Sequence, residues 1–329
     1  MNEYMSNISK RYVLMRILRF IFTFLVILTI IFILPRIAPG DPIQNILGLE
    51  YETATPEEIE YLKNMHGLNK GTFEQYIMFL KSIFTFDFGY SISSQRNVAD
   101  MIAESTYYST IVLLPALLIG AFFGFVAGLY GGTNKKKPVE RALTSSSILM
   151  QAMPSFLVAM IALTVFSFQL GWFPLGHLTS GPNPSIFDYF YHLTLPVAVL
   201  GLMIFCGYYI MVRNMTLQIE DEYFIHAKRG QGFTEEDIKS KHISKNVSTQ
   251  FMSMFAMGLG GIISGSIIVE IVFSLNGMGS VLFNAISFED YPVIQGCFIF
   301  ITFSILLANL IAEILYSVVD PRVGEGSST

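Results

Sequence analysis

Glu270 is the residue whose type and position most invite a chemical role. It lies within the apolar run 251–273, where an ionisable side chain is costly and by default marks a transport pathway or relay. A hydrogen-bonded structural acid near the external half of that run fits the same placement, and both readings stay open. The five histidines, at positions 66, 177, 192, 226 and 242, show no metal-ligand spacing, so no metal centre is assigned, although a metal complex could still be cargo. Cys206 and Cys297 fall in apolar runs, which argues against a disulfide framework and a thiolate metal site. No G-x-x-x-x-G-K-[ST] segment occurs and the dipeptide Gly-Lys is absent, so the chain lacks the P-loop cradle for the phosphates of ATP. Without a paired catalytic constellation either, the chain is expected not to be an enzyme. Its energy must come from a partner or from an ion gradient.

The elements that position these residues belong in a bilayer. Of 329 residues 52% are apolar and 14% charged, with a mean hydropathy of +0.53, far from the balance of a soluble domain. The apolar residues gather in six runs, 13–34, 109–130, 145–168, 193–212, 251–273 and 293–318. Each can cross about 30 Å of hydrocarbon, which takes roughly 20 helical residues. Pro154, Pro196 and Asn309 interrupt the third, fourth and sixth runs, which a span tolerates only where neighbouring protein satisfies the loosened backbone. The expected fold is therefore all-α: a packed bundle of six transmembrane helices.

Basic residues set the orientation, because they stay on the cytoplasmic side. Lys10, Arg11, Arg16 and Arg19 lie before or in the first run, and Lys135, Lys136, Lys137 and Arg141 fill the second-to-third connection. Arg213, Lys228, Arg229, Lys239, Lys241 and Lys245 occupy the fourth-to-fifth connection, and Arg322 the tail. Arg36, Lys63, Lys70, Lys81 and Arg96 all lie in the long segment after the first run, where ten acidic residues outnumber them, and connections 170–192 and 275–292 have no Lys or Arg. Both termini are thus expected in the cytoplasm, with a short N-terminus (1–12), a first span (13–34), an external segment (35–108), a five-helix core (109–320) and a short tail (321–329). The first run is too long for the core of a cleaved signal and no small-residue cleavage site follows it.

The external segment carries two amphipathic patterns. Thr55-Pro56-Glu57-Glu58 supplies a cap, a first-turn proline and a third-position acid ahead of Ile59, Leu62 and Met65, and Phe73, Tyr76, Ile77, Leu80 and Phe84 repeat the periodicity. Two short helices are predicted, each with one face on the membrane surface or the bundle. Within the spans, Gly120, Gly124 and Gly128, and again Gly261 and Gly265, recur every four residues, a spacing that lets helices approach closely. The connection 213–250 is as polar as the spans are apolar. Helical character over 214–230, a break at Gly230-Gln231-Gly232 and a new cap at Thr234-Glu235-Glu236-Asp237 predict helix, glycine turn, helix,. Such a corner, gripped between two spans, is suited to receive force from a docked partner.

That connection resembles the EAA signature of ABC-importer permeases, in the variant of the dipeptide, oligopeptide and nickel branch. The resemblance runs from Glu222-Tyr223-Phe224 through Gly232-Phe233-Thr234-Glu235 to His242 and Asn246. It continues, in order, through Ala38-Pro39-Gly40-Asp41-Pro42, Met153-Pro154-Ser155-Phe156, Leu170-Gly171-Trp172-Phe173-Pro174, Val269 to Ser274, Asn276-Gly277-Met278-Gly279, Asp290-Tyr291-Pro292-Val293 with Gln295-Gly296, and Asp320-Pro321-Arg322. Lys228 and Gly230 stand where the pattern favours Ala, and Ala227 where it has Thr.

What the resemblance implies is a type I ABC importer permease that moves short peptides, nickel or metal chelates by alternating access. Its implied partners are a second, similar permease, two cytoplasmic ATPases that bind the ATP and Mg, an extracytoplasmic binding protein and the lipid bilayer, with no nucleic acid. The implied ATPase-coupling residues are Glu222, Phe224, Ala227, Gly232, Phe233, His242 and Asn246, within the element 214–246. A secondary transporter with Glu270 and Glu313 as ion carriers is the alternative, against which stands the lack of an evident inverted repeat.

Overall fold

A computed structural model describes residues 2–37, 54–65, 69–181, 184–262 and 267–319 of the chain. Among these the chain is helical, with a single isolated bridge, Tyr90 to Asn97, in place of any sheet. Ala38 to Pro42, His66, Gly265 and Asp320 to Arg322, singled out by sequence, lie outside the described residues.

Four helices are long and apolar enough to cross a membrane unbroken: α1 (Asn2–Ile37), α4 (Val98–Thr133), α7 (Ile186–Glu220) and α13 (Tyr291–Val319). Between α1 and α4, the two amphipathic patterns form α2 (Pro56–Met65) and α3 (Thr72–Phe84). The predicted capping box starts α2, with Thr55 N donating to Glu58 Oε2 at 2.8 Å and Glu58 N to Thr55 Oγ1 at 3.3 Å. Helix α4 begins eleven residues before its apolar run, where Asn97 Oδ1 accepts from Ala99 N and caps it.

The third run is not a straight span. It divides into α5 (Pro138–Ala152) and α6 (Ser155–Ala162, prolonged by a wider π turn over Leu163–Gln169), with a bend of 102° between them. Proline forces its predecessor out of helical conformation: Met153 is extended (φ −82°, ψ 133°), and Pro154 caps α6. Pro115 and Pro196, by contrast, sit inside α4 and α7 without ending them. The fifth run comprises α10 (Ser244–Gly261) and the short α11 (Ile267–Val272). After it comes α12 (Met278–Ser287), an apolar helix of ten residues in a connection that the sequence left unstructured.

Helices α4 and α7 form the centre of the bundle, closed by glycine. Cβ atoms at Gly120, Gly124 and Gly128 would strike Ile204, Tyr208 and Val212 on α7, and one at Gly132 would strike Thr216. Around this seam lies the core of Val112, Ala116, Leu117, Val199, Leu200, Val269 and Phe273. Gly261 does not serve in this way, since an added Cβ there meets nothing within 4 Å. Its neighbour Gly260 faces the bundle instead and packs on Ala308 of α13. Helix α1 lies along α13, where Arg16 pairs with Glu313 at 2.5 Å, so the two charges share one site in the apolar layer.

Candidate coupling site

Three acids in succession, Glu220-Asp221-Glu222, end one helix and start another. At the C-terminus of α7 negative charge opposes the helix dipole, and at the N-terminus of the next helix it is favourable. The chain breaks there: Glu222 is extended (φ −71°, ψ 143°), its carbonyl accepts from Ile225 N, and α8 (Tyr223–Gly230) follows. The expected single helix over 214–230 is therefore two, the first being the end of α7. Lys135, from the α4–α5 connection, offsets the acids by pairing with Glu220 at 3.2 Å and Asp221 at 3.5 Å.

Gly232 turns the chain after α8 with φ +85°, in the left-handed region that glycine enters without strain. Thr234 then caps α9 (Glu235–Asp237), its hydroxyl oxygen accepting from Asp237 N at 3.2 Å. A π turn over Ile238–Ile243 carries α9 into α10. Beneath this corner, Val212, Ile219, Ile225, Ile238, Ile243 and Val247 form one buried cluster joining the ends of α7 and α10 to the turn. The corner is thus packed onto the ends of α7 and α10.

The opposite surface of the corner faces solvent. Tyr223 is 91% exposed and Phe224 and Phe233 are each 42% exposed. Glu222, Ala227, Gly232 and Asn246 are exposed as well. Phe233, His242 and Asn246 come together: the His242 ring meets Phe233 edge-on at 5.6 Å, and Asn246 Nδ2 donates to the His242 carbonyl at 2.7 Å. Lys228 Nζ lies 4.7 Å above the other partner of that contact, the Phe233 ring. Glu222, Phe224 and Ala227 sit apart on α8. His242 Nε2 is buried with no hydrogen-bond partner among the described residues, a costly state for a polar atom.

Arg229 was not singled out by sequence. Its guanidinium clasps Glu235 with two bonds, Nε to Oε1 at 2.7 Å and Nη2 to Oε2 at 3.2 Å, and reaches Glu220 at 3.4 Å. It ties α7, α8 and α9 together across the glycine turn. The hydrogen bond to Glu235 raises Arg229 above its ordinary value and lowers Glu235 below its own. Separations of nine and six residues match no helical period, so only the three-dimensional turn reveals the group.

Glu270 lies on α11, away from this corner in the chain. It is 2% exposed, and three donors converge on its carboxylate: Ser109 Oγ at 2.7 Å, Gly279 N at 2.8 Å and Ser280 N at 3.1 Å. Ser109 Oγ in turn accepts from Met278 N at 2.8 Å. Together they satisfy the first three N–H groups of α12, which have no intrahelical acceptor. A Cβ at Gly277, the capping residue, would collide with the Glu270 carboxylate. The geometry is that of the structural acid, one of the two readings open from sequence. Elsewhere, a groove of about 500 Å³ between α4, α7 and α10 is lined by Leu117, Tyr208, Met211, Met254, Met257 and Gly258.

Residues 120–325 match the family model described as binding-protein-dependent transport system inner membrane component, and residues 9–113 match the N-terminal model of the same membrane components. A Brucella abortus (strain 2308) protein described as a peptide transport system permease is 30% identical over 312 residues, covering 94% of this chain and 98% of that one. An oligopeptide transport system permease of Bacillus subtilis is 28% identical over 314 residues, 95% and 98% of the two chains. A glutathione transport system permease of Escherichia coli K12 is 28% identical over 312 residues, with the same coverage.

Proposed function

The chain belongs to the family of binding-protein-dependent transport system inner membrane components, and from that premise we propose that it is half of a peptide-translocating pathway driven by ATPases docked at residues 214–246. Its membership makes it a multi-pass permease subunit of an ATP-driven importer, with ATP hydrolysis in a separate protein and a binding protein as a further partner. The ion-gradient alternative has no such support. Its two carboxylates are also engaged otherwise, Glu270 in capping α12 and Glu313 with Arg16.

The observation that carries the coupling proposal is the two-sided corner. Exposed aromatics lie on its solvent side, and buried isoleucines weld its other side to α7 and α10. Rings that stay exposed in the isolated chain suit a protein groove, since aromatic anchors dominate such interfaces. In the cycle, closure of two ATPases presses on this corner, the spans tilt with it, and the cavity shared with a second, similar permease opens outward to the binding protein. Both termini lie in the cytoplasm, which the basic connections support,.

The peptide cargo is carried over from the relatives named for peptide, oligopeptide and glutathione transport. Uptake with purified binding protein and a panel of di- to pentapeptides, glutathione, nickel and metal chelates tests it, and transport confined to the metal species would overturn it. For the coupling, Phe233→Asp and Gly232→Val are expected to cut ATP-dependent uptake more than about tenfold and to weaken co-purification of the ATPase, with membrane insertion unchanged. Uptake that survives both substitutions would remove the docking role from this corner.

A further inference from the structure

Helix α3 has two apolar faces, and only one is covered. The covered face rests on α1 and sets the height of α3. At its start, Gln75 Oε1 accepts from Arg36 Nη2 at 2.8 Å, and Tyr76 bonds Thr29 through its hydroxyl at 2.8 Å. At its end, Ile83 is buried in one cluster with Leu28, Ile31 and Ile299. The Arg36 side chain folds back so that its guanidinium lies 3.5 Å over the Phe32 ring, and Tyr76 packs on Phe32 too. Both ends of α3 therefore rest on the stretch Leu28 to Phe32 of α1.

The level reached lies inside the apolar layer. The apolar stretch of α1 extends from Leu14 to Ile37, so Leu28 is well within it. On α13, Gln295 Nε2 donates to the Ile31 carbonyl at 3.1 Å, about one turn inside the start of that span at Tyr291,. At this depth α1 turns Ile30, Ile33 and Leu34 outward, the lipid-facing side of a spanning helix.

The uncovered side of α3 is apolar as well. Phe84 is 80% exposed and Phe86, two residues beyond the end of the helix, 71%. Ile77 is also exposed, one turn above Leu80. Large aromatic and aliphatic groups exposed at the level of the apolar layer are suited to acyl chains more than to water. The charged residues of the helix, Glu74 and Lys81, are exposed, and Lys81 is long enough to bring its ammonium back toward the headgroups.

We propose that α3 and the Phe84–Phe86 tip form an anchor that lies in the external leaflet of the bilayer, with phospholipid acyl chains as its partner. Burial about 5–10 Å into the headgroup and acyl boundary is the depth at which amphipathic helices bind a membrane. The anchor fixes the external segment to the membrane beside α1 and α13, giving an external binding protein a platform of constant height. A second permease or the binding protein itself could instead cover these rings.

Spin labels in the assembled transporter, reconstituted in phospholipid nanodiscs, decide among these. The native Cys206 and Cys297 are buried, and the unsubstituted transporter provides the background. Single variants Phe84→Cys, Phe86→Cys and, as an aqueous reference, Tyr61→Cys on α2 are labelled with nitroxide, and collision with oxygen is compared with collision with a water-soluble nickel chelate. At 84 and 86 oxygen accessibility is expected to exceed that of the chelate by at least threefold relative to position 61. Chelate accessibility equal to that at 61 overturns the proposal by placing the tip in water. Exclusion of both probes overturns it by placing the tip against protein. Retained uptake by the labelled variants shows that the anchor is read in a folded transporter.

Discussion

At the scale of single residues, Glu270 shows how an intramembrane carboxylate can cap a helix end. Replacing it with Ala leaves two buried N–H groups and the Ser109 hydroxyl without their acceptor, at about 1–3 kcal/mol for each orphaned group. Glu270→Ala is therefore expected to lower the thermal midpoint of the purified protein by many degrees, and Glu270→Gln, which keeps the volume and one acceptor, by less. Uptake should fall in proportion to the folded fraction. A Glu270→Gln protein of unchanged stability that transports nothing would return the residue to the pathway. Sequence could mark Glu270 because a charge in an apolar run is conspicuous. It could not choose a role, because the choice depends on Ser109, 161 residues away in the chain, and on α12, which no periodicity announced. Arg229 was missed for a related reason: its partners are set by the turn at Gly232, not by helical spacing.

Among elements, glycine separates two jobs that look alike in sequence. Gly128 has no room for a side chain, because a Cβ would run into Val212 and the Tyr209 carbonyl on α7. Gly128→Leu is expected to force α4 and α7 apart, at a cost of about 1–3 kcal/mol or more. The loss is measurable as reduced yield of monodisperse protein and a lowered unfolding midpoint. Gly230, at the end of α8, has open space around it and an ordinary φ, so Gly230→Ala should stabilise α8 by about 0.5–1 kcal/mol. If both substitutions lowered the midpoint equally, the α4–α7 seam would not be what glycine serves. The four-residue repeat on α4 was legible and met its partner helix, while within this chain it is Gly260, one residue before Gly261, that faces Ala308. The capping signals at Thr55 and Thr234 were legible because a cap is local. Pro154 was visible as an interruption, but its 102° bend was not, because Pro115 and Pro196 interrupt apolar sequence equally and their helices continue.

Across the whole molecule, the start of α13 is joined to the loop after α3 by Asp290. Its carboxylate accepts from Ser91 Oγ at 2.6 Å, Ser93 Oγ at 2.9 Å and Ser93 N at 3.1 Å, across nearly 200 residues of chain. Asp290 is 1% exposed. Burial alone raises a carboxylate, but the bonds from Ser91 and Ser93 outweigh it and hold Asp290 below its ordinary value. A carboxyl lowered in the folded state contributes stability that is present above its unfolded value, about 3.9, and is lost as pH falls through the lower folded value. The loss should therefore appear only below about pH 4. In Asp290→Asn the amide does not titrate, and stability at neutral pH should already be lower by about 1–3 kcal/mol. Thermal midpoints of both proteins from pH 7 to pH 3 test this directly. The gap between the two curves should be constant down to about pH 4.5 and narrow below it, as the wild type loses what the variant never had. Curves that stay parallel to pH 3 would show that the joint between α13 and this loop does not depend on a charged Asp290, and that acid sensitivity at this end of the molecule arises elsewhere.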